Sequence, residues 1–288
     1  MMRDGYSDSP RRGPAGQRPM GRVDLIGAGP GDPDLLTIRA LRLLQTAEVV
    51  VHDRLVSDQI MELIPASTRR IFVGKESGCH PVPQESINAL LVELALSGLH
   101  VARLKGGDPT IFGRGGEEFE AVRAAGIPCD YVPGITAAQG AAASARLPLT
   151  HRGLATGLRL VTGHRARDAA LDLDWASLAD PDTTLVVYMG GANIQDIATR
   201  LIAHGMPAAL PVLAVSAATT PSETRRRCDL AGLANGQEPG PMPAPLLFII
   251  GHVAALAEDA ALPCPVPAAL AAGFAPDFNA AVELASHD

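Results

Sequence analysis

The sequence predicts an α/β protein of two domains, each built on a mostly parallel sheet, with the active site in the cleft between them. Three observations carry this. Short apolar runs alternate with helical patterns through the first half of the chain, as in a parallel sheet with crossover helices. A Pro133-Gly134 pair then breaks the alternation, and strand-like runs resume after it. Two glycine-rich segments, 27–31 and 106–116, each follow a strand-like run, where open α/β sheets receive ligands.

The elements follow in order. An apolar run at 23–27 opens the first domain as a strand. Leu35, Leu36, Ile38, Leu41, Leu43 and Leu44 then recur at helical spacing behind Asp34, a capping residue. Further strands are predicted at 48–53, 70–74, 100–104 and 129–132. Ile87, Leu90, Leu91, Leu94 and Ala95 mark one face of a helix over 84–97, stopped by Gly98. A second helix, 117–125, stops at Gly126. Beyond the break come an alanine-rich helix at 136–145 and strands at 158–162, 184–189, 212–216 and 246–250. A helix at 193–203 carries Ile194, Ile197, Leu201 and Ile202. The 223–229 segment reads as loop or as a further strand. The expected division is a disordered leader, 1–20; an N-terminal α/β domain, 21–133; a C-terminal α/β domain, 134–258; and a poorly ordered tail, 259–288.

Bulk properties narrow the function. Apolar residues make up 47% of the 288 and aromatics only 3%, so the cores must be aliphatic. A net charge of −7 argues against nucleic acid as the main partner, but not against a polyanionic small molecule held by a local arginine cluster. Cys79, Cys129, Cys228 and Cys264 are scattered, with no zinc-type spacing, so the expectation is a reduced cytoplasmic protein without a metal. His52, His80, His151 and His164 read as hydrogen-bonded structural residues. The longest apolar stretch, 246–256, is too short for a bilayer. The Arg/Pro/Gly-rich leader has no apolar core, so it is neither signal peptide nor anchor, and it is too short for a second enzymatic unit.

The segment from Lys105 to Glu118 holds five glycines in fourteen residues. Glycine supplies positive φ or lets a ligand approach the backbone. Asp108 is a candidate acceptor for ligand hydroxyls, and Arg114 and Glu117 bring opposite charges to the same loop. The earlier GAGPGDP segment is no dinucleotide fingerprint. Asp32 stands where the third glycine belongs, and Pro30 and Pro33 remove donors a pyrophosphate would use.

With these two loops go DRLVS around Asp53, Val73-Gly74-Lys75, HPVPQESIN from His80 to Asn88, and Val132 through Ala137. PLTHRG from Pro148 to Gly153, Thr162-Gly163-His164 and Val187-Tyr188-Met189-Gly190 complete the set. In order and spacing they resemble the tetrapyrrole methylase family over roughly residues 22 to 257, and within it the members that act on uroporphyrinogen III. The resemblance implies transfer of methyl groups from S-adenosylmethionine to C-2 and C-7 of uroporphyrinogen III. Precorrin-2 forms by way of precorrin-1, and S-adenosylhomocysteine is the by-product. It also implies a homodimer and a place in siroheme, cobalamin or heme d1 synthesis.

It assigns residues as well. Asp53 is implied as proton acceptor and Lys75 as proton donor. Glu117 is a second carboxylate for the base, and the choice between Asp53 and Glu117 stays open. Arg114 and Arg152, with Arg146 as a helper, are implied as contacts to the substrate carboxylates, along with Met189. Pro30, Gly106, Gly107, Asp108, Ile111, Thr136, Ala137, Met189 and Ala218 are implied around the methyl donor. Two positions depart from the family pattern: Ala218, where glycine is frequent, and Glu76, where a basic residue usually follows the lysine. Two other readings compete, a methyltransferase for a later corrin intermediate and a nicotinamide-dependent oxidoreductase; the loop chemistry disfavours the second.

Overall fold

The computed structural model describes residues 19–74, 82–164, 171–236 and 239–258. Lys75, Glu76, Cys79, His80, Cys264, the leader up to residue 18 and the tail 259–288 lie outside the described residues.

The first half runs β1 (Arg22–Gly27), α1 (Ile38–Thr46), β2 (Val49–His52), α2 (Asp58–Glu62), β3 (Arg69–Phe72), α3 (Gln84–Leu96), β4 (His100–Lys105), α4 (Gly115–Ala124) and β5 (Cys129–Val132). A 3-10 turn, Pro33–Leu35, precedes α1. The strands form one sheet in the order β3-β2-β4-β1-β5, every neighbouring pair parallel. Helices cover both faces. Leu25 and Val51 pack with Leu91 of α3 and Val122 of α4; Ile26 and Val50 pack with Leu44 of α1 and Ile60 of α2. Successive strand residues face opposite layers, so Leu25 and Ile26 serve different cores. Short polar residues start the first helices: Thr37 accepts from the Ala40 amide at 3.1 Å and Ser57 from that of Ile60. β1 continues into α1 on one face, and the adjacent β4 into α4 on the other. The chain therefore diverges at the carboxyl ends of β1 and β4, which opens a crevice there.

The second half runs α5 (Ala137–Ser144), β6 (Gly157–Thr162), α6 (Trp175–Leu178), β7 (Thr183–Tyr188), α7 (Ile194–Ala203), β8 (Pro211–Ser216), β9 (Thr224–Asp229), α8 (Leu230–Ala234) and β10 (Leu246–Ile250). The α/β class holds, but this second sheet is mixed rather than mostly parallel. Its order is β6-β7-β10-β8-β9; β6 and β7 pair in parallel, while β10 runs antiparallel to β7 and β8, and β9 antiparallel to β8. Because β10 opposes both of its neighbours, β6, β7 and β8 point the same way. Apolar periodicity marks a strand but not its direction or its neighbours, so the late insertion of β10 between β7 and β8 was not readable. The ambiguous 223–229 segment is edge strand β9. Short helices α2, α6 and α8 span too few residues for a periodic signal. The alanines of α5 (Ala138, Ala141, Ala142) pack with Val186, Leu213 and Ile249, which ties α5 to the second sheet.

At the opposite end of β1 from the crevice, Asp24 is fully buried. Arg22 donates to its carboxylate at 2.5 and 3.1 Å, and Nε2 of His100 lies 2.7 Å from it. Burial alone would raise the Asp24 carboxyl, but His100 and Arg22 outweigh it and hold the group below its usual range. A carboxyl depressed in the folded state contributes stability above its unfolded pKa of about 4, and that stability is lost as pH falls through the folded value. Asp24→Asn is therefore expected to cost about 1–2 kcal/mol at pH 7, because Arg22 and His100 lose a buried charged partner while Arg22, 43% exposed, keeps Asp130. It should also reduce the loss of stability between pH 7 and pH 3, as read by urea unfolding at both pH values.

Candidate active site

The described candidate residues of the first half sit on loops or helix starts at the carboxyl edge of the first sheet. Pro30 follows β1, Asp53 follows β2, residues 106–117 follow β4, and Thr136 follows β5. These loops are stitched by backbone. Gly29 and Gly107 exchange two hydrogen bonds, 3.1 Å and 2.7 Å. A Cβ on Gly27 would lie 2.5 Å from the Gly134 nitrogen and 2.7 Å from the Gly107 oxygen. Gly27 and Gly134 thus let the ends of β1 and β5 approach each other and the Gly107 backbone after β4 more closely than a side chain on either would permit.

Among the glycines of the 106–116 segment only Gly107 has positive φ, +67°. Gly106 does not; a Cβ there would press on Leu55 at 2.6 Å, so its role is close approach to the loop after β2. Gly115 similarly lies against the Pro109 carbonyl. The left-handed conformation falls instead on Phe112 (φ 51°) and Arg114 (φ 56°). Met189, Ala217 and Thr219 also have positive φ, at 54°, 49° and 64°. All five follow the carboxyl ends of β4, β7 or β8, which places stored backbone strain around one cleft.

Asp108 is already held by protein donors. Its Oδ1 accepts from the Thr110 amide at 2.7 Å and from the Thr110 hydroxyl, and its Oδ2 accepts from the Gly134 amide at 3.0 Å. Both carboxylate oxygens are taken by protein donors, so Asp108 first holds the 108–110 turn to the end of β5. Asp108, Thr110, Ile111, Gly134, Thr136, Ala138, Gln139, Leu149, Leu158 and Leu160 line a pocket of about 280 Å³. Ala137 belongs to the same place, since a Cβ on Gly107 would meet its nitrogen at 3.8 Å. Pro30 and Ala218 lie along the seam between the halves. Pro30 packs against α5 at Gly140, the Asp32 amide donates to the Thr219 hydroxyl at 3.2 Å, and Ala218 is buried between Ala217 and Thr219. Met189 follows β7 and is 49% exposed.

The charged candidates divide. Asp53 Oδ1 accepts from the Leu55 amide at 3.0 Å, and its Oδ2 lies 3.4 Å from Nη2 of Arg103. Arg114 donates to Glu117 at 2.7 and 2.6 Å, both side chains about half exposed. This pairing holds the Glu117 carboxyl below its ordinary range. Arg152 is exposed in the turn closed by the His151–Ala155 bridge. Arg146 lies elsewhere. It follows the last turn of α5, roughly 12 Å along the helix from Thr136, and pairs with Glu258 at 2.9 Å. Lys75 lies outside the described residues. Gly74, beside it in sequence, approaches the Arg54 nitrogen, next to Asp53.

Sequence reasoning missed the buried charges under these loops. Glu118 is fully buried and accepts from Lys105 at 2.9 Å on each oxygen, from Arg103 at 3.1 Å and from Gln84 at 3.2 Å. Burial, then the nearby Arg103, lowers the Lys105 pKa; Glu118 opposes both. A signal was present: Arg103 and Lys105 share one face of an otherwise apolar strand, and two buried cations require an acid.

The family model described as Tetrapyrrole (Corrin/Porphyrin) Methylases matches residues 22–234, and the chain belongs to this family. It is 76% identical over 257 residues to the uroporphyrinogen-III C-methyltransferase of Paracoccus denitrificans, a match covering 89% of this chain and 88% of that protein. It is 53% identical to the siroheme synthase of Azotobacter vinelandii over 86% of this chain, and spans about half the length of that relative, 53%. Among solved structures, the uroporphyrin-III C-methyl transferase of Thermus thermophilus complexed with S-adenyl homocysteine is 41% identical, with a TM-score of 0.71, and covers 82% of this chain and all of its own. A cobalt precorrin-4 methyltransferase is 26% identical, with the same TM-score of 0.71, over 81% of this chain and 95% of its own.

The three-glycine contact makes a graded prediction. Gly107→Ala has room for its methyl group and is expected to fold, at a cost of about 1–2 kcal/mol for the left-handed backbone. Gly134→Ala drives a methyl into the Gly107 and Gly27 backbones, and its melting temperature should fall further than that of Gly107→Ala. Thermal unfolding of the two variants side by side reads the difference.

Proposed function

We infer that this chain is an S-adenosylmethionine-dependent methyltransferase acting on uroporphyrinogen III. It methylates C-2 and C-7 and yields precorrin-2 through precorrin-1. The observation that carries this reading is the pocket lined by Asp108, Ile111, Gly134, Thr136, Leu149 and Leu160, beyond the carboxyl ends of β4 and β5. The family and the 76% identical relative support it.

The donor residues fit a nucleoside carrying an amino acid. The Gly107 backbone lies against the start of α5, the walls at Ile111, Leu149 and Leu160 are aliphatic, and Thr136 offers a hydroxyl. S-adenosylmethionine brings an activated methyl group as co-substrate, so the chain has to position, dehydrate and move a proton. Positioning alone is worth roughly 7–11 kcal/mol in favourable cases. The tetrapyrrole has an apolar body and an acidic periphery. Leu55, Phe112, Leu158 and Met189 are large apolar side chains left 39–53% exposed, each on or beside the loops already described, and they suit the body. Arg114 and Arg152 suit the carboxylates, where the planar fork makes bidentate contacts.

For the proton lost from the ring after each transfer, Asp53 is the better base. Glu117 is committed to Arg114 and depressed by it, so its part is to hold that arginine. Lys75 is the proposed proton donor. The functional division falls at about residue 133, after β5. The active unit is proposed as a cytoplasmic two-fold homodimer; among the described residues no helix is long and apolar enough to cross a membrane.

Asp53→Asn is expected to lower kcat about a hundredfold or more, and Glu117→Gln by much less, in an assay following precorrin-2 formation from uroporphyrinogen III. The reverse ranking would make Glu117 the base, and failure of the unaltered protein to methylate uroporphyrinogen III would remove the substrate assignment. Arg152→Ala should lose about 2–5 kcal/mol of substrate interaction while S-adenosylhomocysteine affinity, measured by calorimetry, stays near normal. Arg152→Lys should recover only part of the loss, because an ammonium cannot form the fork. Light scattering at micromolar concentration should give twice the chain mass; a monomer overturns the dimer.

A further inference from the structure

Tyr188, the last residue of β7, belongs to none of the roles assigned so far, yet its hydroxyl reaches into the wall of the pocket. It lies 2.7 Å from the Thr136 hydroxyl and accepts from the Ala138 amide at 2.9 Å. Its ring is buried and packs against Phe112, with centroids 5.1 Å apart. Thr136 is the N-cap residue of α5, but its side chain makes no capping bond. An N-cap threonine normally accepts from an amide of the first turn. Here the oxygen of Tyr188, from another element, takes that amide instead. One side chain therefore joins the β4–α4 loop through Phe112, the start of α5 through Ala138, and the pocket through Thr136.

We propose that Tyr188 is the positioning residue of the methyl-donor pocket: its hydroxyl caps α5, donates to Thr136 Oγ1, and so turns the Thr136 hydroxyl hydrogen toward the bound donor. The hydrogen count supports this. The Tyr188 oxygen already accepts from Ala138, and its own hydrogen satisfies Thr136 Oγ1. Thr136 then keeps its hydrogen for a ligand acceptor in the pocket that it and Ala138 line. The proposal rests on the assignment of this pocket to S-adenosylmethionine. It adds that the second sheet, through β7, sets the hydrogen-bond polarity of a loop belonging to the first sheet's edge.

Tyr188→Phe removes the hydroxyl, with its bonds to Thr136 and Ala138, and keeps the ring against Phe112. Binding of S-adenosylhomocysteine by calorimetry should weaken about three- to tenfold. KM for S-adenosylmethionine should rise by a similar factor, with KM for uroporphyrinogen III unchanged. Thr136→Val should weaken binding too, and the double variant should be no weaker than Thr136→Val alone, because Tyr188 acts through Thr136. Additive losses overturn the proposal. So does a Tyr188→Phe protein that melts earlier but binds S-adenosylhomocysteine normally, since that is a purely structural role. If Thr136→Val and Gly107→Ala weaken binding and Tyr188→Phe does not, the pocket assignment stands and the role of Tyr188 falls. If none of the three changes affinity, the pocket assignment falls with it.

Discussion

The ends of β1, β4 and β5 meet through backbone alone, and the rest of the site depends on that contact. Gly27 and Gly134 leave no room for a Cβ against each other or against the Gly107 backbone, and Gly29 and Gly107 close the contact with two hydrogen bonds. Because the strands are parallel and β1 and β4 lead to opposite faces, their loops splay apart just beyond it. A tight floor and diverging walls follow from the same geometry. The floor is rigid because its bonds are main-chain to main-chain, while the walls are free to vary in side chain.

Beneath this floor the chain buries charge. Arg103 and Lys105 face the same layer, with Glu118 between them and Asp53 at the exposed end of the series. Such a cluster contributes little net stability, because desolvation offsets the attraction; breaking it by removing one member is costly. Its consequence is geometric. The carboxylate of Asp53 is held by the Leu55 amide on one oxygen, with the buried Arg103 beside the other, so its direction is set partly from within the core. Glu118 and Glu117 are neighbours on the first turn of α4, yet one is sealed under the sheet and the other pairs with Arg114 in solvent. A one-residue step around the helix separates structural from surface charge.

The second sheet contributes through its three strands of common direction. Met189 follows β7 and Ala218 follows β8, on left-handed or tightly flanked backbone. Glu223 holds the latter loop, accepting from the Thr219 amide at 2.5 Å, from Ser144 at 3.1 Å, and from Arg225. α5, whose small residues let Pro30 approach at Gly140, joins that sheet to the loop after β1. The pocket is therefore a joint product of both halves: the loops after β4 and β5 supply Asp108, Ile111 and Gly134, and β6 of the second sheet supplies Leu158 and Leu160.

By itself the sequence determined the α/β class, the longer strands and helices of both halves, and the glycine-rich loops at the carboxyl edge of the first sheet. Those features are local: apolar spacing declares a strand or helix, and dense glycine declares a place of close approach. Motif order carried the family as well. Tertiary structure alone decided the rest. It set the antiparallel insertion of β10, since strand direction depends on non-local pairing. It gave left-handed backbone to Phe112 and Arg114 rather than to most of the glycines beside them, because Gly115 is spent on contact with the Pro109 carbonyl. It also engaged both oxygens of Asp108 within the loop, moved Arg146 to the far end of α5, and brought Tyr188 to Thr136 across 52 positions. Such contacts arise only once two separately encoded sheets are packed together, because hydrogen-bond partners are chosen by proximity in space and not by spacing along the chain.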